Sequence, residues 1–196
     1  MNNLIMLKWG GSLITDKDKP LTVRRDVIYN LANQLKEFIN RKTDVPILLG
    51  HGSGSFGHSV ANRYKTRSGV FSREEWIGFS KVWQAARQLN TIVTDILQDV
   101  GIPCFTFAPS TFILASKGLP ASFSEEPLKK TLQEKFIIPV VHGDVIFDDT
   151  IGGTILSTED IFLLLAKSFK PNKILLAGIE PYVWQDYPTR RNPVRK

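Results

Sequence analysis

The sequence predicts an α/β fold in which a mainly parallel sheet is covered by helices on both faces. Short apolar runs typical of buried strands, such as residues 4–8 and 136–141, alternate with longer stretches of helical periodicity, such as residues 73–100. Three predicted strands end directly in a glycine-containing turn. Ligands of open α/β sheets bind at the carboxyl ends of the strands, so these turns are the first candidates for a functional site.

The spacing of the apolar residues predicts each element in turn. Strands are predicted at residues 4–8, 45–50, 104–107, 136–141 and 173–177. Helices are predicted at residues 24–41, 73–100, 125–135 and 158–169. Residues 145–155 predict a β-hairpin, and Ser157 or Thr158 is expected to cap the last helix. We expect the first, second, fourth and fifth strands to be neighbours in one sheet, with all three glycine turns at one edge.

Length and composition fit one globular domain. Of the 196 residues, 42% are hydrophobic and 22% are charged, which excludes extensive disorder and low-complexity architecture. A single cysteine, Cys104, cannot form an internal disulfide and favours a reducing, cytoplasmic location. No segment reaches the roughly 18 uninterrupted apolar residues of a membrane span, so no membrane partner is expected. We predict one domain over residues 1–180 and a basic tail, mostly loop, over residues 181–196.

The formal net charge of +6 does not by itself indicate a nucleic-acid-binding protein. The tail carries four basic residues against one acidic residue, which is half of the excess. The remaining basic residues are spread along the chain and form no basic stripe with interleaved aromatic residues. A specific nucleic-acid partner is therefore not expected.

The first glycine turn, Gly10-Gly11-Ser12, lies between Lys8 and Lys17. Glycines let the backbone approach an anion closely, and their N–H groups can donate to phosphate oxygens. Lysines on either side can neutralise charge on a phosphoryl group during transfer. A tight turn with two solvated lysines is the alternative, and this turn alone favours neither.

The second turn, residues 50–58, contains four glycines in nine residues. It lacks the Gly-Lys-Ser/Thr ending of a Walker-type phosphate loop. Its G-x-G-x-x-G spacing at residues 52–57 has no acidic residue about 20 positions later, so it does not match the dinucleotide fingerprint. With few side chains to pack, the turn favours backbone donors that face a ligand, and His58 at the start of the next helix could donate to a phosphate. An ordinary helix-start histidine is the alternative.

Acidic residues follow the third turn and begin the last helix. Asp144 could orient a lysine or help to hold Mg²⁺, or it could form an Asx turn. Glu159 and Asp160 lie at a helix start, where capping explains them equally well. His51 and His142 have no partner at metal-ligand spacing, so no resident metal ligands are expected among the histidines.

Taken together, these motifs resemble the amino acid kinase superfamily. The resemblance is to its isopentenyl phosphate kinase branch, and it rests on Lys8-x-Gly10-Gly11-Ser12 with Lys17, the turn ending Phe56-Gly57-His58, His142-Gly143-Asp144, and Ser157-x-Glu159-Asp160. It covers residues 4–180 and implies a three-layer αβα sandwich with a mainly parallel central sheet. It also implies ATP-dependent phosphorylation of isopentenyl phosphate to the diphosphate in isoprenoid biosynthesis, dependence on Mg²⁺, and a homodimer.

The resemblance also implies a role for each motif residue. Lys8 and Lys17 would contact the transferring phosphoryl group, and the acidic residues Asp144, Glu159 and Asp160 would orient the lysines. The residues expected to bind ATP are Lys8, Gly10, Gly11, Ser12, Ser53 and Gly178. The residues expected to bind the acceptor are Gly52, Gly57, His58 and Thr158. Residues 73–90, through Phe79 or Trp83, would form the wall of an apolar pocket for the tail of the acceptor.

The sequence departs from the family pattern after Gly178. Family members continue for several tens of residues and include a Gly-Gly-Met-x-x-Lys segment whose lysine helps to bind ATP phosphate. We therefore expect a C-terminally shortened domain. Two alternatives stay open at this point: a kinase for another small phosphate or phosphonate such as fosfomycin, and a phosphate-binding remnant without full catalytic activity.

Overall fold

The computed structural model describes residues 3–42, 44–134, 136–180, 182, 185–186, 189 and 191–194. The side chains of His58, Ser59 and Asn62 lie outside this description. No helix within these ranges is both long enough and apolar enough to cross a membrane.

Nine strands and seven α-helices make up the described structure. The strands are β1 (Ile5–Trp9), β2 (Ile47–His51), β3 (Cys104–Thr106), β4 (Ile113–Ser116), β5 (Leu119–Phe123), β6 (Ile138–His142), β7 (Asp144–Asp148), β8 (Gly152–Leu156) and β9 (Lys173–Ala177). The helices are α1 (Gly11–Ile14), α2 (Arg25–Arg41), α3 (Gly54–Tyr64), α4 (Arg73–Asp99), α5 (Pro109–Phe112), α6 (Glu126–Gln133) and α7 (Thr158–Phe169), and a short 3₁₀ helix, η1, covers Thr66–Ser68.

The central sheet is parallel and has the strand order β3-β6-β2-β1-β9. Lys8 on β1 pairs with Gly50 on β2 and with Leu176 on β9. His51 on β2 pairs with His142 on β6. The four strands expected to be neighbours are therefore neighbours, and the carboxyl ends of β1, β2 and β6 meet at one edge, which confirms the predicted sheet.

Helices cover both faces of the central sheet, which confirms the three-layer arrangement. On one face, Ile28 of α2 and Leu89 of α4 belong to the same buried cluster as Leu49 of β2. On the other face, Leu128 of α6 and Phe162 of α7 lie in a second buried cluster, which includes Met6 of β1. Both faces bury apolar side chains, so β1, β2 and β6 are apolar without polar alternation until near their carboxyl ends, where Lys8, His51 and His142 lie.

The edge strand β9 departs from the expectation of full coverage. Ile174, Leu175 and Leu176 are 47%, 46% and 59% exposed. Within the described structure β9 is hydrogen-bonded to β1 on one side and leaves this apolar row accessible.

A second sheet of four strands, in the order β5-β4-β7-β8, was predicted only in part. The β7–β8 hairpin is confirmed. The β4–β5 hairpin and α5 were not predicted. Asp148 connects the two hairpins, because its carboxylate accepts hydrogen bonds from the backbone N–H groups of Gly118, Thr150 and Ile151 at 2.8, 2.9 and 3.0 Å.

The division into a domain and a basic tail stays a prediction, because several residues of the tail lie outside the described structure. Among the described tail residues, the carboxylate of Asp186 accepts hydrogen bonds from the N–H groups of Arg191 and Asn192 at 3.2 and 3.0 Å. These contacts form a local loop.

Candidate active site

A cavity of about 770 Å³ opens at the edge of the sheet where the glycine turns meet. Of the residues predicted to act in catalysis or to bind ATP or the acceptor phosphate, those whose side chains are described line it, with the exception of Asp160. The side chain of His58 lies outside the described residues. The predicted residues in its wall are Lys8, Gly10, Gly11, Ser12, Lys17, Gly52, Ser53, Gly57, Asp144, Thr158, Glu159 and Gly178. Parallel strand order thus brings together motifs that are far apart in the sequence.

Lys8 places a nearly buried ammonium group in this cavity. Its side chain is 10% exposed, and Nζ forms an ion pair and hydrogen bond with Oε1 of Glu159 in the first turn of α7. A buried charge is strongly destabilising unless it is paired. Lys17 lines the cavity from the exposed loop after α1 and adds a second positive charge. The catalytic roles of Lys8, Lys17 and Glu159 stay predictions.

Asp160 makes different contacts from those the resemblance implies. Its carboxylate accepts hydrogen bonds from the N–H and Oγ of Ser157, at 2.9 and 2.7 Å, and Ser157 Oγ accepts from the Asp160 N–H. This reciprocal pair is the capping box of α7. Asp160 also lies 3.6 Å from a guanidinium nitrogen of Arg67. Asp160 therefore caps a helix and contacts neither Lys8 nor Lys17 in this structure.

Asp144 is a buried carboxyl group in the cavity wall, 1% exposed. Oδ1 accepts a hydrogen bond from the N–H of Val145 at 2.8 Å, and Oδ2 has no hydrogen-bond partner within the described residues. Burial raises the pKa of Asp144 to about 8, although the hydrogen bond from Val145 partly offsets this shift. A free carboxyl oxygen in this position suits a cation, because a nearby positive charge would favour the ionised form.

The free carboxyl oxygen of Asp144 can be compared with the ligands that Mg²⁺, implied by the resemblance, requires. No group of three or more His, Cys, Asp or Glu residues with metal-binding geometry occurs in the part of the chain that the structure describes. Mg²⁺ in kinases is usually held by one or two carboxylates together with substrate phosphates and water, so it needs no such group. The free Oδ2 of Asp144 fits this kind of site.

The two glycine turns touch through their backbones. A Cβ atom on Gly11 would lie 2.4 Å from the nitrogen of Gly54, and one on Gly52 would lie 2.7 Å from the nitrogen of Gly11. Thr15 fastens the contact, because its Oγ1 accepts from the Ser55 N–H at 2.9 Å and donates to the Gly11 carbonyl at 2.7 Å. Both turns thereby present their backbones to the same cavity.

Helix α3 begins at Gly54, with Ser53 at its N-cap. His58 therefore lies within the helix and not at its start, where the sequence analysis placed it. The N–H of Ser53 donates to no acceptor among the described residues, as expected for the beginning of a helix. This donor and the positive end of the helix dipole favour an anion.

The predicted helix lines the apolar part of the cavity, but through residues other than the two that were expected. This part of the cavity is lined by Ala61 of α3, Val82 and Ala86 of α4, and Ile155 of β8, which we call the apolar recess. Neither Phe79 nor Trp83 lines the cavity. Phe79 packs in a buried cluster with Val70 and Val145, and Trp83 lies on the exposed side of α4 against the guanidinium of Arg87. Consecutive residues of a helix point about 100° apart, which turns Trp83 away from the recess that Val82 faces.

The residues that sequence reasoning missed in the wall include the polar residues Lys65, Arg67 and Ser68. They follow α3, and no motif marks them. A signal was available in part, because Gly57 and Ala61 are four residues apart, which places them on one face of α3, and Lys65 directly follows that helix.

The comparisons with known proteins agree with this geometry. The sequence profile of the Amino acid kinase family matches residues 3–191. The chain belongs to the amino acid kinase family. An isopentenyl phosphate kinase of Methanocaldococcus jannaschii is 35% identical over 181 residues, which cover 89% of this chain and 68% of that protein. One from Methanothermobacter thermautotrophicus is 30% identical over 180 residues, with 88% and 66% covered. The chain thus spans about two-thirds of the length of these relatives.

A solved structure shows that the similarity extends to the fold. Crystal structures of isopentenyl phosphate kinase include a chain with a TM-score of 0.84 and 28% identity, and the match covers 95% of this chain and 76% of that one. This chain therefore shares the α/β fold with a mainly parallel central sheet of that isopentenyl phosphate kinase. The resemblance recognised from the sequence motifs is confirmed.

Proposed function

We propose that this chain transfers the γ-phosphoryl group of ATP to isopentenyl phosphate, giving isopentenyl diphosphate and ADP in isoprenoid biosynthesis. One observation carries the proposal: a single cavity combines Lys8 and Lys17, the backbones of two glycine turns, and an apolar recess. The relatives named isopentenyl phosphate kinases support this acceptor. Fosfomycin phosphorylation and a catalytically inactive remnant are not favoured, because the relatives are named isopentenyl phosphate kinases.

The nucleotide side of the reaction is assigned to the first turn. Gly10, Gly11 and Ser12, with Ser53 and Gly178, would bind the phosphates of ATP. As an oxygen of the acceptor attacks the γ-phosphorus and the bond to the leaving ADP oxygen breaks, charge develops on the phosphoryl oxygens. Lys8 and Lys17 would stabilise that charge, and preorganised cations of this kind supply much of the catalysis in phosphoryl transfer.

The acceptor side is assigned to the second turn and to α3. Gly52, Gly57 and His58 would hold the acceptor phosphate, and Thr158 would lie beside them. The Thr158 hydroxyl donates to the His51 carbonyl at 2.7 Å, so its oxygen remains able only to accept, and Thr158 would act by fixing the turn. The five-carbon tail would enter the apolar recess, where burial contributes about 0.8 kcal/mol per methylene group.

Mg²⁺ is part of the proposal, and Asp144 is the residue that would help to hold it. When bound, the ion would neutralise phosphate oxygens of ATP. Before that, the buried Asp144 carboxyl must release its proton, and the adjacent positive charge would favour this release. A homodimer and a cytoplasmic location, the latter favoured by the single cysteine, also stay predictions.

An assay of ADP release with ATP, Mg²⁺ and isopentenyl phosphate tests the proposal. We expect ADP formation that depends on isopentenyl phosphate and is lost in Lys8→Ala. His58→Ala should weaken binding of isopentenyl phosphate roughly tenfold to a hundredfold and leave ATP binding nearly unchanged, because a hydrogen bond to a charged group is lost only on the acceptor side. Turnover with fosfomycin and none with isopentenyl phosphate would contradict the proposal.

A further inference from the structure

A line of hydrogen bonds runs from β3 through α4 to the second glycine turn. Thr106 Oγ1 donates to Asn90 Oδ1 at 2.9 Å, Asn90 Nδ2 lies 3.0 Å from His51 Nε2, and His51 Nδ1 lies 3.2 Å from the carbonyl oxygen of Gly52. Asn90 and His51 are 6% and 1% exposed. Buried polar groups at these positions are stable only when their hydrogen bonds are satisfied.

The chemistry of the groups fixes the direction of each bond. Asn90 accepts from Thr106 through Oδ1, so the group that faces His51 is the amide nitrogen, which can only donate. Nε2 of His51 must therefore accept, and the ring proton lies on Nδ1. Nδ1–H in turn donates to the carbonyl of Gly52. Burial, together with the nearby His142, lowers the pKa of His51 to about 3, so the ring is neutral at ordinary pH.

The Gly52 carbonyl belongs to the peptide group whose N–H is that of Ser53. In a planar trans peptide the carbonyl and the N–H point in opposite directions, so a side chain that holds the carbonyl also fixes the direction of the N–H. The preceding peptide, between His51 and Gly52, is held by two other hydrogen bonds. Thr158 Oγ1 donates to the His51 carbonyl at 2.7 Å, and the Gly52 N–H donates to the Trp9 carbonyl at 2.9 Å. His51 thus controls the next peptide, that between Gly52 and Ser53.

We infer that His51 is a positioning residue, which in its Nδ1–H form holds the Gly52–Ser53 peptide so that the N–H of Ser53 donates to a phosphate oxygen in the cavity. Gly52 and Ser53 both line the cavity, and the Ser53 N–H has no acceptor among the described residues. The inference rests on the proposed function, because it takes the ligand of the cavity to be a phosphate compound.

Two amide substitutions of His51 separate positioning from simple packing. In His51→Asn the amide nitrogen can occupy the position of Nδ1 and still donate to Gly52, whereas in His51→Gln the amide group lies one bond farther out, near the position of Nε2. We expect the affinity for ATP, measured by calorimetry without acceptor, to stay within about threefold of the unsubstituted chain in the Asn variant. In the Gln variant it should fall about tenfold or more, since a hydrogen bond to a charged phosphate is no longer preorganised. Equal affinities in both variants would overturn the inference.

A spectroscopic measurement on the unsubstituted chain needs no variant to fold. The ¹⁵N shifts of His51 should show a neutral ring with its proton on Nδ1 between pH 6 and 8, and the Ser53 amide proton should shift downfield when ATP is added. A proton on Nε2, or a Ser53 amide that does not move while other amides of the cavity do, would overturn the inference. If neither ATP nor isopentenyl phosphate changed the spectra, the proposed function would be refuted as well. If ATP bound normally and the two His51 variants had equal affinities for it, only the role of His51 would be refuted.

Discussion

The ammonium group of Lys8 is paired with the carboxylate of Glu159, which lies 151 positions later in the chain. The pair connects the end of β1 with the first turn of α7, and both side chains face the cavity. Glu159 therefore holds a cation at the place where phosphoryl transfer is proposed. Its neighbour Asp160 is engaged in the capping box of the same helix. Two adjacent carboxylates thus have separate tasks.

Substitution of these two carboxylates should give opposite phenotypes. Glu159→Gln should reduce kcat about tenfold, because the nearly buried Lys8 loses its charged partner, and the loss of stability should be limited because the Gln amide oxygen can still accept a hydrogen bond from the Lys8 ammonium group. Asp160→Ala should reduce the free energy of unfolding by about 1 kcal/mol, as the loss of a helix cap does, with a smaller effect on kcat. Urea unfolding and steady-state kinetics on both variants make the comparison. The same phenotype in both would contradict it.

Lys8 and Lys17 should be required for turnover but not for folding. Lys8→Ala and Lys17→Ala are each expected to lower kcat at least about a hundredfold, since each removes a charge that stabilises the transition state. Lys19→Ala is the matched control, because Lys19 is an exposed lysine of the same loop that does not line the cavity. Rates are measured by ADP release and folding by circular dichroism. Near-normal turnover in either cavity variant would refute the assignment.

Asp144 should make the protein less stable as the pH rises. Its pKa in the folded chain is about 8 and lies above the ordinary value of 3.8, so its contribution is fully present below about pH 4 and is lost as the pH rises towards 8. Within this window the loss approaches about 1.4 kcal/mol per pH unit. In Asp144→Asn this term disappears, so the variant should gain stability relative to the unsubstituted chain between pH 5 and 7 while losing activity.

Urea unfolding of the two proteins at several pH values measures this difference. Buried His51 and His142 have pKa values lowered to about 3 and about 4, so their contribution is present above pH 6.5 and is lost as the pH falls. Both proteins contain these histidines, so the difference between their free energies of unfolding at each pH reports the contribution of Asp144 alone. If the free energies of unfolding of the two proteins changed with pH in the same way, the prediction of a raised pKa for Asp144 would be wrong.

The apolar recess should determine the affinity for the tail of the acceptor. Ala86→Leu adds three carbon atoms where Ala86 lines the cavity, so KM for isopentenyl phosphate should rise about tenfold or more while KM for ATP stays within about twofold. Gln84→Leu, an exposed position on the same helix, is the control. If KM for ATP rose equally, the recess would belong to the nucleotide site.

Strands that are buried on both faces could be predicted from the sequence, and the β4–β5 hairpin could not. Residues such as Ile47 and Val140 lie in uninterrupted apolar runs, which is the pattern of a parallel strand between two helical layers. Strand β5 contains Pro120 and is exposed at Leu119, Ala121 and Ser122, and its turn is held by Asp148 from another hairpin. That information is tertiary and leaves no local pattern.

Within the site, backbone features were easier to predict than the directions of side chains. The glycine turns were recognisable because glycine at such density has few other uses. Glu159 and Asp160 make different contacts because of where α7 begins, and a sequence pattern does not define that position to within one residue. The hydrogen bond between His51 and Asn90 joins elements that are distant in the sequence, so no local pattern predicts it. The recess depended on the rotation of α4, which apolar periodicity defines too coarsely to separate Val82 from Trp83.

The backbone contact between the two glycine turns restricts how this part of the chain can evolve. A side chain at Gly11 or Gly52 would collide with backbone atoms of the opposite turn, and these atoms are the same whichever residue stands there. No substitution in the partner turn could make room, so neither glycine has a compensating mutation within the pair. The walls of the cavity, at Ala61, Val82 or Ile155, carry no such backbone restriction, so we expect substitutions there to be tolerated more readily than in the two turns.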